Sequence, residues 1–309
     1  MIQNCKIAPA VVPHAIFSAP DNALYMLMMT RSGDSKILTV QLLRAFVVTI
    51  MVILAGCIQQ PERVNSHEML NATLWQQTAA EYVGITNQVY RFARKNLDQA
   101  LADTTWTAAL EQTGDFSKLP PAIMLDIDET VLNNASYEAR IIKNLGQYSQ
   151  STFAEWCRNE NAPAVPGAKT FLDYAAKRGV AVFYYSARRE KLRDCTIRNI
   201  RELGLPLPDD SRLLLSNGKG KSGYREMIAG QYRILLLVGD NLEDFVEGSK
   251  SDPASRRELA LLYAQRWGRQ WIILPNAIYG HWESSSYNFD YQLPRERQLQ
   301  QKLQQLQTQ

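Results

Sequence analysis

The stretch AIMLDIDETVLNN, residues 122–134, runs through four apolar positions, Ala122 to Leu125, and then sets Asp126 and Asp128 on either side of a single isoleucine. Packing offers no reason to end an apolar segment on two carboxylates, which repel each other and lose hydration at the rim of a core. A cation or a reaction does. Three further runs share the pattern: VAVFYY (180–185) before Ser186, RILLLV (233–238) before Gly239 and Asp240, and WIIL (271–274) before Pro275. Short apolar runs separated by polar, helix-like segments predict an α/β fold, a buried parallel sheet flanked by helices. In such sheets ligands bind beyond the carboxyl ends of the strands, which makes Asp126, Asp128, Ser186 and Asp240 candidates for one shared site.

Two chain-distant strands thus end in carboxylates, Asp126 with Asp128 and Asp240 with Asp244. Mg²⁺ fits such clustering, because it prefers oxygen ligands and keeps several waters. An EF-hand calcium loop starting at Asp126 does not, since Val131 stands where that loop needs glycine and Tyr137 where it needs glutamate. The segment GKGKSGYRE (218–226) offers Lys219 and Lys221, and Ser186 a hydroxyl, all suited to phosphoryl oxygens. The inventory predicts phosphoryl transfer: one aspartate attacks phosphorus, and the other serves the leaving oxygen as acid and the incoming water as base.

Four motifs in order, DIDET at Asp126 to Thr130, the strand-ending Ser186, Lys221, and GDNLEDF at Gly239 to Phe245, resemble those of the haloacid dehalogenase superfamily. Within it, DIDETVLNN, AVPGA (164–168), GDNLEDF and LPNAIYGHW (274–282) resemble the bacterial lipoprotein (class C) acid phosphatases, over roughly Leu74 to Trp282. The resemblance implies a haloacid dehalogenase-like sheet with a small, mostly helical cap and N-terminal helices. It implies Asp126 as nucleophile and Mg²⁺ ligand, Asp128 as acid/base and ligand through its carbonyl, and Asp240 as third ligand. Ser186 and Lys221 would bind phosphate, and Asp244 would back the site from behind the ligands. Phe153 and Tyr279 would stack on a nucleobase, although TFAEW (152–156) also offers Trp156 for that ring. The expected activity is Mg²⁺-dependent hydrolysis of phosphomonoesters, nucleoside 5′-monophosphates foremost. A phosphotransferase using the same residues and a non-catalytic surface-binding lipoprotein are the alternatives.

The chain of 309 residues is 46% apolar and 21% charged, with a net charge of +3 and acidic and basic residues interspersed. No block grips a nucleic-acid polymer, so a small phosphomonoester is the expected partner, with a homodimer left open. Near the start, AFVVTIMVILAGC (45–57) follows Arg44, Lys36 and Arg31, the basic flank and short apolar core of an export signal. Its ending, Leu54-Ala55-Gly56-Cys57, resembles a bacterial lipobox, which implies lipidation at Cys57. Residues 1–56 then form the signal, with the true start near Met28, 57–67 a lipid-anchored tether, 68–290 the phosphatase domain and 291–309 a polar tail read as a frayed surface helix. By the same resemblance, Ile58 after the cysteine implies the outer membrane, facing periplasm or cell surface. Of the four cysteines, Cys157 and Cys195 are bridgeable in an oxidising compartment, but the expectation is two buried free thiols.

Overall fold

In a computed structural model the described residues are 67–159, 161–218 and 220–308. The export signal, Cys57, nearly all of the tether, and Lys219 lie outside them.

Five parallel strands, β1 (Pro121–Leu125), β2 (Ala181–Arg189), β3 (Leu213–Ser216), β4 (Arg233–Gly239) and β5 (Trp271–Ile273), form one sheet in the order β3-β2-β1-β4-β5. The DIDET strand is central: Leu125 stands opposite Tyr184 of β2 and Val238 of β4. Alternate side chains of a strand point to opposite faces, so each apolar run feeds two cores. Ile123, Leu125, Val182, Tyr184 and Val238 pack in one; Ala122, Met124, Phe183, Tyr185 and Leu237 pack in the other. Leu235 and Leu236 share a core because the β1–β4 register shifts between Ala122 and Ile123. Truncating any of these leucines to alanine would cost about 2–5 kcal/mol in transfer and cavity energy.

The first core is closed by helix α2 (Ala80–Ala102), which α1 (Leu70–Thr78) precedes, with α3 (Ala135–Lys143) and α4 (Gln150–Asn159), the expected helical cap, inserted between β1 and β2. Helix α5 (Ala168–Lys177) leads into β2, α6 (Arg193–Glu202) follows it, and α7 (Lys221–Ala229) precedes β4. Helices α8 (Pro253–Leu262), α9 (His281–Ser284) and α10 (Arg295–Gln304) complete the chain. The turn AVPGA puts Gly167 at φ 92° against α2, where a Cβ would come within 3.1–3.2 Å of Tyr90 and Asn87. Glycine alone allows both that conformation and that approach.

The inward stripe of α2 is Tyr82, Thr86, Tyr90, Ala93, Leu97 and Ala100, while Leu74, Ile85 and Phe92 are exposed. Thr86 can sit in the stripe because its hydroxyl donates to the Tyr82 carbonyl at 2.9 Å. β3 was not expected: at four residues, on the sheet edge and alternately half-buried, LLLS carries too short an apolar run to stand out. The tail helix does not simply fray, since Lys302 bonds Glu68 at 2.7 Å and also pairs with Glu283. Cys157 and Cys195 are not free thiols but a disulfide, because α4 and α6 approach until the two Cα atoms are 5.7 Å apart, inside the range a bridge spans without moving backbone. A cross-link over a separation of 38 residues stabilises by roughly 4 kcal/mol in the chain-entropy model. Among the described residues no helix is long and apolar enough to cross a membrane.

Candidate active site

The sheet brings the expected residues together at its carboxyl end. Asp126 follows β1 directly and is 5% exposed, its N–H bonded to the Val238 carbonyl of β4 at 2.9 Å. Asp240 follows β4, and Asp244 closes the short 3-10 turn Leu242–Asp244 in which the Asn241 side chain and the Asp244 carboxylate cap each other's backbone. Gly239 is required there, because a Cβ would meet the Asp244 carboxylate at 2.1 Å. Carboxylate oxygens of Asp126, Asp240 and Asp244 lie within 4.8 Å of one another. Lys221, the first residue of α7, places Nζ 2.5 Å from Asp126 and also pairs with Asp244. Thr130 and Asn276 donate to Asp240 at 3.3 and 2.9 Å.

One ammonium thus faces three carboxylates, and the imbalance shows in their proton affinities. Burial drives the Asp126 carboxyl up; Lys221 pulls against it, but the charges of Asp244, Asp240 and Asp128 add to burial and leave it well above the ordinary range. Asp240 is pushed up to about 7, by burial and then by Asp244. An oxygen-only donor set with surplus negative charge, two of its three members buried, fits a hard divalent cation.

Asp128 lies in a different environment. Burial alone would raise its carboxyl, yet it is held below the usual range because Arg188 outweighs that cost, with help from Asn134. The Arg188 guanidinium grips it through Nη2 at 2.7 Å and Nε at 3.0 and 3.2 Å, and Asn134 donates at 2.6 Å. Ser186 donates to Asp128 at 3.3 Å and accepts from the Arg188 N–H at 3.0 Å. Of the expected ligands, the side chains of Asp126 and Asp240 therefore group with Asp244, whereas the Asp128 side chain is engaged elsewhere and leaves only its carbonyl for such a role. The turn between these groups holds Glu129 at φ 59°, fully buried. Its carboxyl is pushed up to about 8 by burial and accepts from the side chain of Gln76 on α1, from the Asn134 N–H and from Tyr279.

Arg188, Asn134, Glu129 and Asn276 escaped the sequence reading. SARR held a signal for Arg188, a second cation two residues past Ser186, which lies inside β2 and does not end it, but nothing local says which acid it meets.

The expected stacking rings fall differently. The Tyr279 hydroxyl reaches Glu129 at 3.3 Å, and its residue is partly exposed. Phe153, expected at the rim, is 7% exposed and packed edge-on against Tyr137 at 5.1 Å and beside Trp156 at 5.5 Å. The ring of this cluster that meets solvent is Tyr148, 61% exposed and 6.0 Å from Phe153.

A model of the HAD superfamily, subfamily IIIB (Acid phosphatase), matches residues 48–282. Among curated proteins, "Acid phosphatase 1" of Solanum lycopersicum is 28% identical over 137 residues, 41% of this chain and 53% of that protein. A "Stem 31 kDa glycoprotein" of Glycine max is 26% identical over 127 residues, 39% of this chain and 50% of that one. The chain spans about half the length of the curated relatives it matches. Among solved structures, the class C acid phosphatase from Bacillus anthracis superposes with a TM-score of 0.70 at 32% identity, covering 78% of this chain and 97% of that one. The same enzyme with tungstate bound gives 0.69 at 30% identity, with the same coverage. With aspartates, lysine and serine assembled at the carboxyl end of a parallel sheet and a family match over most of its length, the chain belongs to the haloacid dehalogenase superfamily, in its subfamily IIIB of acid phosphatases.

Proposed function

We propose that this chain is a Mg²⁺-dependent acid phosphatase that hydrolyses phosphomonoesters, nucleoside 5′-monophosphates foremost, through an aspartyl-phosphate. One observation carries the reading: two carboxylates two residues apart are held by different cations, Asp126 by Lys221 and Asp128 by Arg188. The pair is thereby divided into two roles. Lys221 favours the ionised form of Asp126, as a bound cation would, and an Asp126 oxygen attacks phosphorus as the bond to the leaving oxygen breaks. Asp128, having first taken up a proton from solvent against the pull of Arg188, gives that proton to the leaving oxygen. Asp128 then takes a proton from water, whose oxygen attacks phosphorus and frees Asp126 and inorganic phosphate. Lys221 and Ser186 hold the phosphoryl oxygens as charge develops on them. A divalent cation held by Asp126, Asp240 and the Asp128 carbonyl, with Asp244 alongside, would draw negative charge from those oxygens. The Bacillus anthracis relative solved with tungstate, an oxyanion like phosphate, supports the reading.

The nucleotide preference rests on rings. Tyr279 and Tyr148 are the partly and largely exposed aromatics beside the site, and Tyr148 lies in the field of the Asp128 charge. Stacking a base on one ring is worth about 1–3 kcal/mol, so Tyr279→Ala and Tyr148→Ala should each lower kcat/KM for nucleoside 5′-monophosphates about tenfold and for glycerol phosphate less than threefold. Phe153→Ala, which opens the buried cluster, should lose ground on both substrates and in thermal stability. Phosphate release from both esters decides it. No release from either would sink the phosphatase, and parallel losses in the two tyrosine variants would remove the stacking role.

We also propose that Cys57 carries a lipid that anchors the enzyme in the outer membrane. The motif Leu54-Ala55-Gly56-Cys57 behind a basic, apolar leader supports this. Cys57→Ser should abolish metabolic palmitate labelling and leave the protein outside the membrane fraction; equal labelling of variant and wild type would exclude the anchor.

A further inference from the structure

Arg188 has two working edges. One holds Asp128; on the other, Nη1 donates to Thr196 at 2.9 Å and lies 3.7 Å from the Cys157 sulfur, while the guanidinium carbon stands 5.2 Å over the Phe153 ring. Thr196 adjoins Cys195 on α6, and Phe153 lies one turn before Cys157 on α4. The outer edge of the guanidinium is therefore held by the two helices that the Cys157–Cys195 disulfide ties together. The backbone gives little help. Pairing of β2 with β3 breaks register between Ser186 and Arg189, and the Arg188 N–H goes to the Ser186 hydroxyl instead of a neighbouring strand. A side chain 2% exposed on such a bulge takes its direction from what surrounds it.

We propose that Arg188 is a positioning residue for Asp128 and that the Cys157–Cys195 disulfide is part of the same device: by fixing α4 to α6 it holds the arginine, and the arginine aims the Asp128 carboxylate at the leaving oxygen. The inference rests on Asp128 being the proton donor, as argued above. The bridge then does more than staple the fold. Losing it loosens the donor without touching the nucleophile Asp126 or the phosphate-binding Lys221.

Leaving-group dependence separates such a device from a structural staple. A nitrophenolate departs without needing a proton, whereas an alkoxide depends on receiving one, and a well-placed acid contributes on the order of 10²–10⁴ in rate. The experiment measures kcat/KM, which reports the steps up to departure of the alcohol and leaves out the water attack common to both esters, together with KM, on p-nitrophenyl phosphate and glycerol phosphate for wild type, Arg188→Lys, Cys157→Ala/Cys195→Ala, and the three changes combined, with circular dichroism on each. The disulfide-free variant should lose about fivefold in kcat/KM on glycerol phosphate and stay within twofold on the nitrophenyl ester. Arg188→Lys, which keeps the charge but not the fork, should lose at least about tenfold more on the alkyl ester than on the aryl ester. In the combined variant, removing the bridge should add no further selectivity, because both changes act through one contact. Should the alanine pair not fold, wild type treated with dithiothreitol takes its place. Each sulfur gains an electron and a proton as the dithiol cyclises, a free-thiol count confirms the reduction, and the same selectivity is expected.

Equal losses on both esters without the bridge would make the disulfide a staple only. A raised KM on both esters in Arg188→Lys, with weaker inhibition by inorganic phosphate, would make Arg188 a phosphate ligand. Either result overturns the proposal. Wild type active on both esters keeps these outcomes distinct from failure of the phosphatase reading, since an inactive wild type would remove both.

Discussion

Asp126→Asn is expected to retain less than about one hundredth of wild-type turnover on any phosphomonoester while remaining folded, because losing a nucleophile costs several orders of magnitude. An amide does not attack phosphorus at a useful rate and is a weaker ligand for a hard cation. The fold should survive for a reason visible in the site: Lys221 keeps Asp244 as ion-pair partner, and the backbone bond from Asp126 to Val238 does not involve the side chain. Burial and the neighbouring carboxylates of Asp244, Asp240 and Asp128 oppose an ionised Asp126 against the pull of Lys221, so the neutral amide also relieves repulsion. Steady-state phosphate release with a thermal melt on the same preparation checks both halves. Activity above that level in a folded variant would reject covalent catalysis by Asp126.

Withdrawal of divalent metal should be nearly as damaging. With chelator, turnover should fall below about a hundredth and return on adding Mg²⁺, since three carboxylates facing one ammonium leave uncompensated charge where a phosphate must bind. Asp240→Asn should reduce kcat at least about a hundredfold and raise the Mg²⁺ concentration needed for half-activity more than tenfold. A second readout needs no turnover. Burial and Asp244 raise the Asp240 carboxyl from 3.8 to about 7. A folded state that binds its proton more tightly than the unfolded chain loses stability as pH climbs between those values, so metal-free wild type should melt lower at pH 8 than at pH 5 through this group. Adding Mg²⁺ at pH 8 should raise the melting temperature of wild type, and Asp240→Asn should show a smaller rise. Activity that survives chelation, together with a melt indifferent to Mg²⁺, would exclude the metal from these aspartates.

The residues that were legible beforehand share a property. Asp126 and Asp240 announce themselves because each ends a run buried on both faces, and a charge at that position is conspicuous against the apolar residues before it. β2 was readable for the same reason, and β5, an edge strand with Ile273 exposed, because WIIL is an unbroken apolar run. β3 was not, since an edge strand of four residues covers one face only in part. Arg188 stood in plain view in SARR, yet a buried arginine and a solvated one look alike in one dimension. Its burial follows from α4 and α6 closing over it, an arrangement that no local pattern encodes. The cysteines followed the same logic: two thiols with a separation of 38 residues are bridged or free according to how close their helices pass.

By itself, then, the sequence determined a parallel α/β sheet, its strand-end aspartates and the chemistry those aspartates suit, because strand periodicity and strand termini are properties of neighbouring residues. Only the tertiary structure decided that Lys221 meets Asp126, across 95 positions, and Arg188 meets Asp128, across 60. It also decided that Phe153 is core while Tyr148 faces solvent, and that Cys157 and Cys195 are joined. The reason is physical: which charge neutralises which, and which ring is covered, depends on distances between elements far apart in the chain, and those distances are set when the two cores pack against the sheet.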